Sequence, residues 1–406
     1  MASQTASKLT EQLFRQPLKI LLVGDYLNDP CLGSSKVMLK LQSEFQALGH
    51  DCDVLFREDL GRFPSNGYLR QALCPAVTAQ KVMASIKSRG RYDVVDIASA
   101  EGWVFSFLCR TGIFSDSVVI SRSNGLEHLN YRRMVDDHRH GLLHKPWQKR
   151  IWFPAVRLTQ VEASARAAHK LILLNDHDRE FVLQRRWKKP EDVVVIPHGV
   201  SQQVCTPASN GESVRGQGFL FCGSWTGMKG IDYLASAFNR FVAAGPPLNL
   251  TILGGSAPES EIRGAFSQAA QPYLKVLERL PEDFVMQQYR LHDALIFCST
   301  YEGFGMVLVE AMSQGLACIA TPVGAGLMVQ DGSSGLVVPA RNPEALAVAM
   351  RKLATNQTLR NRLGEAARKQ VATLTWENTA LQTLAVYRNA QKKNRIAGHF
   401  VTEAAP

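Results

Sequence analysis

Glu302-Gly303-Phe304-Gly305-Met306-Val307-Leu308-Val309-Glu310 sets two carboxylates on either side of seven residues. The apolar run Ala294-Leu295-Ile296-Phe297-Cys298 leads into it and reads as a buried strand of a parallel sheet. Gly305 to Ser313 reads as a helix leading out. Ligands of an open α/β sheet collect at the carboxyl ends of its strands. One carboxylate therefore falls on a strand-to-helix loop and the other about two turns into the helix, at most about 12 Å apart along the axis. Between them lie the N–H groups of a helix start, which attract phosphate. The arrangement suits an elongated ligand with a hydroxyl-rich group at each end and a phosphate bridge, and a nucleotide-sugar answers that description.

Outward from this stretch, strand-like and helix-like runs alternate. Leu18 to Val23, Cys52 to Phe56, Val94 to Ala98, Val118 to Ser121, Lys170 to Leu174 and Val193 to Ile196 read as strands, and Ser35 to Leu48 as a helix. The pattern breaks between Ser201 and Gly218, which reads as an interdomain linker. A second series follows: Phe219 to Cys222, helix Ile231 to Ala243, then Leu248 to Leu253, Leu274 to Leu277, Ala294 to Cys298, Ala317 to Ala320 and Leu336 to Val338. The expectation is an α/β protein of two tandem doubly wound Rossmann-like domains facing a cleft. The domains are 1–205 and 216–375, with a tail over 376–406.

The chain's 406 residues exceed what one core usually holds, and 46% apolar with 20% charged residues is ordinary globular composition. No apolar run approaches the roughly 20 residues of a membrane span. The first seventeen residues lack an apolar signal core, so a cytoplasmic protein is expected. Eight cysteines, at 31, 52, 74, 109, 205, 222, 298 and 318, show no Cys-x-x-Cys spacing and read as small buried hydrophobes. The net charge of +10 suits anionic substrates or an anionic membrane surface. No RNA-binding sheet motif or recognition-helix module is evident, so no nucleic-acid partner is expected. Tyr131 to Lys170 holds nine Lys or Arg against three acids, with Trp147, Trp152 and Phe153 among them. Such a segment could lie on an anionic bilayer, peripheral to the inner face of the membrane, or could be a cationic helix pair with its aromatics in the core.

Other loops repeat the strand, glycine, helix plan. Gly24 closes the first strand, and Leu32-Gly33-Ser34-Ser35 precedes the first helix, where glycine admits a phosphate to backbone N–H groups. Phe221-Cys222-Gly223-Ser224-Trp225-Thr226-Gly227-Met228-Lys229-Gly230 does the same in the second half, with Lys229 placed to neutralise a departing diphosphate. Leu253-Gly254-Gly255-Ser256 could flank the nucleotide. His138, His140 and His144 lie among cations and read as a solvated basic loop rather than a metal site. His198 reads as a residue that turns the chain. No hydrolase elbow, zinc-protease motif or Asp-x-Asp clamp stands out, so no metal or cofactor is expected.

Taken together, Glu302 with seven residues to Glu310, Glu310-Ala311-Met312-Ser313-Gln314-Gly315, Thr321-Pro322-Val323-Gly324, Asp331-Gly332-Ser333-Ser334-Gly335, Ile196-Pro197-His198-Gly199-Val200 and Trp376-Glu377 resemble one family. It is the retaining nucleotide-sugar glycosyltransferases of GT-B fold, the group 1 or family-four set. The resemblance implies a hexose transferred from a nucleotide-diphosphate sugar to a glycan or lipid-linked acceptor, as in cell-surface polysaccharide or glycoconjugate synthesis. Glu302 would contact the donor sugar's hydroxyls, Lys229 and the amides of Gly305, Met306 and Val307 the diphosphate, and Glu310 the ribose. Gly33, Ser224, Gly254, Gly303 and Phe304 would line the donor, and the tail after Trp376 would return to the first domain. Two positions depart from the family. Ser224 stands where an arginine is usual, and Ser123-Asn124-Gly125 where a His-Gly pair is frequent. Asn124 could bond a sugar hydroxyl or the acceptor, but not act as a base. A transfer-inactive binding or scaffold protein and a sugar-nucleotide epimerase or hydrolase on the same fold are the alternatives.

Overall fold

The computed structural model describes residues 16–61, 63, 66–112, 117–139, 151–201, 215–245 and 247–402. Two compact units emerge, Met1–Pro197 with Trp376–Pro406, and His198–Thr375. Each contains a six-stranded sheet.

The first sheet is built from β1 (Lys19–Val23), β2 (Asp51–Leu55), β3 (Val94–Ala98), β4 (Val118–Arg122), β5 (Lys170–Leu173) and β6 (Val193–Val195). All pairings are parallel, in the order β2-β1-β3-β4-β5-β6. Every residue of β3, β4 and β5 is buried, as expected where helices cover both faces of a parallel sheet. Strand order reverses beside β1, so the loops after β1 and β3 part there and leave a crevice at their carboxyl ends.

Helix α1 (Gly33–Ala47) buries Val37, Met38, Leu41 and Phe45. The long tail helix belongs to this same unit. Its Tyr387 is fully buried, with its ring 5.8 Å from that of Phe45. The Tyr387 hydroxyl donates to Asp96 Oδ2 at 2.6 Å. Arg122 donates to that oxygen from Nε at 3.0 Å and from Nη2 at 2.6 Å. A buried carboxylate is costly unless several donors satisfy it, and here one of the three comes from the tail.

The second sheet consists of β7 (Phe219–Cys222), β8 (Leu250–Leu253), β9 (Leu274–Leu277), β10 (Ala294–Phe297), β11 (Ala317–Ala320) and β12 (Leu336–Val337), also all parallel. Its order, β12-β11-β10-β7-β8-β9, is that of a dinucleotide-binding sheet, with the reversal between β7 and β10. Helix α2 (Ile231–Ala243) buries Leu234, Ala235, Ala237, Phe238 and Phe241 in a core that includes Phe219, Phe221, Trp225 and Phe266. Strand β8 starts at Leu250 rather than Leu248, and β12 ends at Val337 rather than Val338. The expected linker lies mostly in 202–214, outside the described residues.

Three loops interlock at the carboxyl edge of this sheet. A Cβ on Gly230, whose φ is +74°, would lie 2.0 Å from the Cys298 carbonyl oxygen. Thr300 donates its N–H to the Met228 carbonyl at 2.8 Å, tying the loop after β7 to the loop after β10. On the other side, a Cβ on Gly324 would meet the Phe304 carbonyl oxygen at 2.4 Å, and one on Gly326 the Thr321 carbonyl oxygen at 2.0 Å. The Ala325 N–H donates to the Phe304 carbonyl and the Thr321 hydroxyl to the Ser299 carbonyl at 2.6 Å, tying the loop after β11 to the same segment.

Two consequences are measurable. Tyr387→Phe leaves Asp96 one donor short and is expected to cost about 1–3 kcal/mol in urea unfolding; an unchanged midpoint would remove the tail's polar anchor from this account. Gly230→Ala meets both an unfavourable φ and a carbonyl, and should cost roughly 3 kcal/mol by thermal unfolding. Gly227→Ala, whose Cβ would meet nothing within 4 Å, should cost at most about 0.5 kcal/mol. Equal losses for the two would contradict the interlock.

Candidate functional site

The backbone contacts just described place Lys229 and Glu302 opposite each other at the reversal point of the second sheet. Lys229 ends a one-turn helix, Gly227–Lys229, and its carbonyl accepts a bond from the Cys298 thiol at 3.3 Å. Its ammonium donates to Glu302 Oε1. The Ser299 hydroxyl donates to the same oxygen at 3.0 Å. Side-chain exposure is 18% for Lys229 and 9% for Glu302, so the pair is largely withdrawn from solvent. The cation expected to stand ready for a phosphate is thus engaged by the carboxylate expected to meet the sugar.

Gly303 and Phe304 carry the chain to Gly305, whose φ of +92° starts α3 (Met306–Ser313). A Cβ at Gly305 would stand 2.7 Å from the Phe297 ring, so only glycine fits the turn as packed. No side chain caps α3 and its first turn carries no acid. The N–H groups around Met306 and Val307 therefore present the positive end of a helix without a built-in anion. Glu310 lies on the second turn, buried, and accepts a bond from the Tyr289 hydroxyl at 3.2 Å. Burial and the neighbouring Cys222 and Glu310 charges hold the Tyr289 hydroxyl far above its ordinary range, so it remains a donor. The His198 ring packs edge-on against Phe304, with centroids 5.4 Å apart. It is a packing partner of the candidate site as well as a turn in the chain.

Ser224 and Gly254 follow β7 and β8 on this edge. Gly223 donates its N–H to the Leu253 carbonyl at 2.9 Å, which sets the two loops side by side. A Cβ on Gly254, whose φ is +78°, would meet nothing within 4 Å, so this residue faces open space. The second unit thus brings together Ser224, Lys229, Gly254, Glu302, Gly303, Phe304, Gly305, Met306, Val307 and Glu310. Gly324 belongs to a quoted motif, whereas spacing in the sequence did not reveal Ser299, Tyr289 or Gly326. Ser299 acts through its hydroxyl on Glu302 and Tyr289 through its hydroxyl on Glu310, contacts that neither residue type announces.

Gly33 and Asn124 belong to the first unit. Gly33 is the first residue of α1, which no side chain caps and whose first turn has no acid, and a Cβ there would meet nothing within 4 Å. Gly24 instead answers to packing, since a Cβ would strike the Tyr26 ring at 2.6 Å and the Met38 sulfur at 2.8 Å. Asn124 Nδ2 donates to the Tyr26 hydroxyl at 3.2 Å, while its buried Oδ1 has no partner among the described residues.

Nearby in this unit, Arg157 binds both Glu101, at 2.8 Å, and Glu127, at 2.7 Å. Ser99, held at a φ of +42°, bonds Glu127 through its hydroxyl at 3.0 Å. Burial pushes the Glu101 carboxyl above the usual range against the pull of Arg157. Asp25, Cys74 and Glu101 offer ligand atoms within 4.8 Å of one another. Arg57 and Arg70 already occupy Asp25, and Arg157 occupies Glu101, so guanidinium groups stand where a cation would have to enter. Asp51 and Asp53 do form an Asp-x-Asp pair, but it lies along β2, with Asp53 bonded to Tyr92 and Arg89.

The basic stretch is partly tied into the fold. Trp152 packs edge-on against Tyr68 and Phe153 stacks on Tyr131, with centroids 6.0 and 5.8 Å apart. Arg157 and Arg133 are paired with acids, while Ile151 is 64% exposed. His140, His144 and Trp147 lie outside the described residues. Among the described residues no helix is long and apolar enough to cross a membrane.

Known proteins resemble this chain in sequence and in fold. Residues 207–370 match the family model described as glycosyl transferases group 1. The chain is 28% identical over 256 residues to a D-inositol 3-phosphate glycosyltransferase of Kribbella flavida, an overlap of 58% of this chain and 60% of that one. It is 29% identical to the same-named protein of a Nocardioides species, over 60% of this chain and 58% of that one. The chain thus spans about 60% of the length of these curated relatives. Among solved structures, sucrose-phosphate synthase from Thermosynechococcus elongatus superposes with a TM-score of 0.73 at 21% identity, covering 92% of this chain and 99% of that one. Anabaena HepE, solved in complex with UDP and glucose, gives 0.65 at 16% identity, covering 91% and 98%. The group 1 glycosyltransferase model thus matches most of the second unit, and the two sheets have the GT-B fold of these solved structures.

Proposed function

We propose that the protein transfers a hexosyl group from a nucleoside diphosphate sugar to a hydroxyl of a glycan or lipid-linked acceptor, with retention at the anomeric carbon. One observation carries the reading. Lys229, the uncapped start of α3, Glu302 and Glu310 share one sheet edge at its reversal point, and they offer charge of the right sign for each part of such a donor. The cation and the helix amides receive the diphosphate, Glu302 the sugar hydroxyls, and Glu310 the ribose hydroxyls.

In the reaction the bond from the anomeric carbon to the phosphate oxygen breaks as the acceptor oxygen bonds to that carbon from the same face. The acceptor proton passes to the departing phosphate oxygen. Lys229 and the α3 amides stabilise the charge that grows on the leaving diphosphate, so the site's own residues supply that positive charge. Ser224, Gly254, Gly303 and Phe304 line the donor. Asn124, with one end of its amide unpartnered among the described residues, is our candidate for a sugar or acceptor hydroxyl.

The kind of ligand named for Anabaena HepE makes UDP and UDP-glucose the first probes. The setting we propose is cell-surface glycoconjugate synthesis on the cytoplasmic side. Peripheral contact with an anionic membrane through 131–170 is part of that proposal, supported by the cations of the segment and by exposed Ile151.

Thermal shift with UDP, GDP and ADP and their sugars should select one base, since ligand at about 100 times its dissociation constant stabilises by about 2.7 kcal/mol. With the matching donor and an acceptor panel, Glu302→Gln and Lys229→Ala should each lower kcat by about 10²–10³ in protein that circular dichroism shows to be folded, with Lys229→Ala also lowering the melting temperature because it leaves Glu302 without its cation. Wild-type turnover in both variants would overturn the site assignment. Donor consumed without any acceptor would instead indicate a hydrolase or epimerase, and tight binding with no consumption a scaffold.

A further inference from the structure

Lys229 and Glu302 are both assigned to the donor, yet in this structure they are bonded to each other. The carboxylate is 9% exposed, and the Ser299 hydroxyl supplies a second bond to the same oxygen. A carboxylate so withdrawn from water loses heavily when its cation is drawn away, unless another donor takes the cation's place.

We propose that donor binding and product release are a single exchange of partners on Lys229, with Glu302 as the competitor that evicts the spent nucleotide. This rests on the function proposed above and extends it to how the site tells donor from product. A nucleoside diphosphate sugar draws the ammonium onto its phosphates and, in the same event, presents Glu302 with a sugar hydroxyl. A bare nucleoside diphosphate draws off the ammonium and gives Glu302 nothing. Glu302 therefore opposes the product far more than the donor. Once the sugar has left, the carboxylate recaptures Lys229 and the diphosphate departs. Ser299 is the positioning residue, holding the carboxylate in place in both states. The Lys229 backbone stays fixed by the interlocked loops, so only the flexible end of its side chain has to move.

The test is titration calorimetry on the full chain with UDP, GDP and ADP, and with UDP-glucose, GDP-mannose and ADP-glucose. The base that binds the wild type is carried forward. Glu302→Gln should bind the bare diphosphate about tenfold tighter than wild type and the nucleotide sugar no tighter, a change of about 1.4 kcal/mol confined to the product. Glu302→Ala removes the carboxylate without having to seat an amide, and should show the same gain. In a Lys229→Ala background the gain should vanish, because no cation is left to release. Folded variants that bind the diphosphate no tighter than wild type would overturn the exchange and leave the functional reading standing. An equal gain without Lys229 would overturn it as well. A wild type that binds none of the six ligands would remove the functional reading, and this inference with it.

Discussion

Backbone lies directly on backbone where the loops after β7, β10 and β11 meet, and the candidate site depends on that contact. Gly230 against Cys298 and Gly324 against Phe304 leave no room for a Cβ. Hydrogen bonds run across the same junctions, from Thr300 to Met228 and from Thr321 to Ser299. Loops at the ends of parallel strands could otherwise adopt many conformations. Here their close approach fixes where Lys229 and Glu302 begin, so one side-chain ion pair spans two segments 73 residues apart in the chain. A rigid frame with one movable ammonium is what a site needs if it is to hold a charged ligand and then release it.

Each sheet reverses its strand order beside its first strand, and chemistry-bearing residues gather at both reversals. In the second unit they are acids, a lysine and a helix start. In the first they are arginine–carboxylate knots, with Asn124 and Tyr26 beside them. The strained Ser99 backbone lies at the end of β3, in that first group, where its hydroxyl is bound to Glu127. The tail helix enters the first unit through Tyr387, which supplies one of the three donors on Asp96.

Much of this was legible in the residues, for identifiable reasons. Strands covered by helices are short, mostly apolar runs, so β3, β7 and β11 have the bounds their residues suggest. Helix α2 runs from Ile231 to Ala243 as its periodicity indicates, because Gly230 starts it and its apolar face is unbroken. Side-chain partnerships were not legible. Nothing in the order of residues says that Lys229 finds Glu302 or that Tyr289 meets Glu310, since each bond joins residues that only the fold brings together; Ser299 is only three residues from Glu302, but their bond depends on how the loop turns. Composition overstates the charge of part of the basic stretch for a similar reason. Arg157 counts as a cation in the sequence, but Glu101 and Glu127, brought up by the fold, neutralise it. Gly24 has the look of a ligand-admitting turn, yet its lack of a side chain makes room for Tyr26 and Met38.

The most direct examination of the central claim is a crystal structure of the protein with its preferred nucleoside diphosphate sugar bound. The account predicts phosphates at the start of α3 with the Lys229 ammonium on them, the ribose on Glu310, and Glu302 accepting a bond from the hexose while Ser299 still holds it. A donor bound elsewhere, or one bound here with Lys229 still on Glu302, would contradict it.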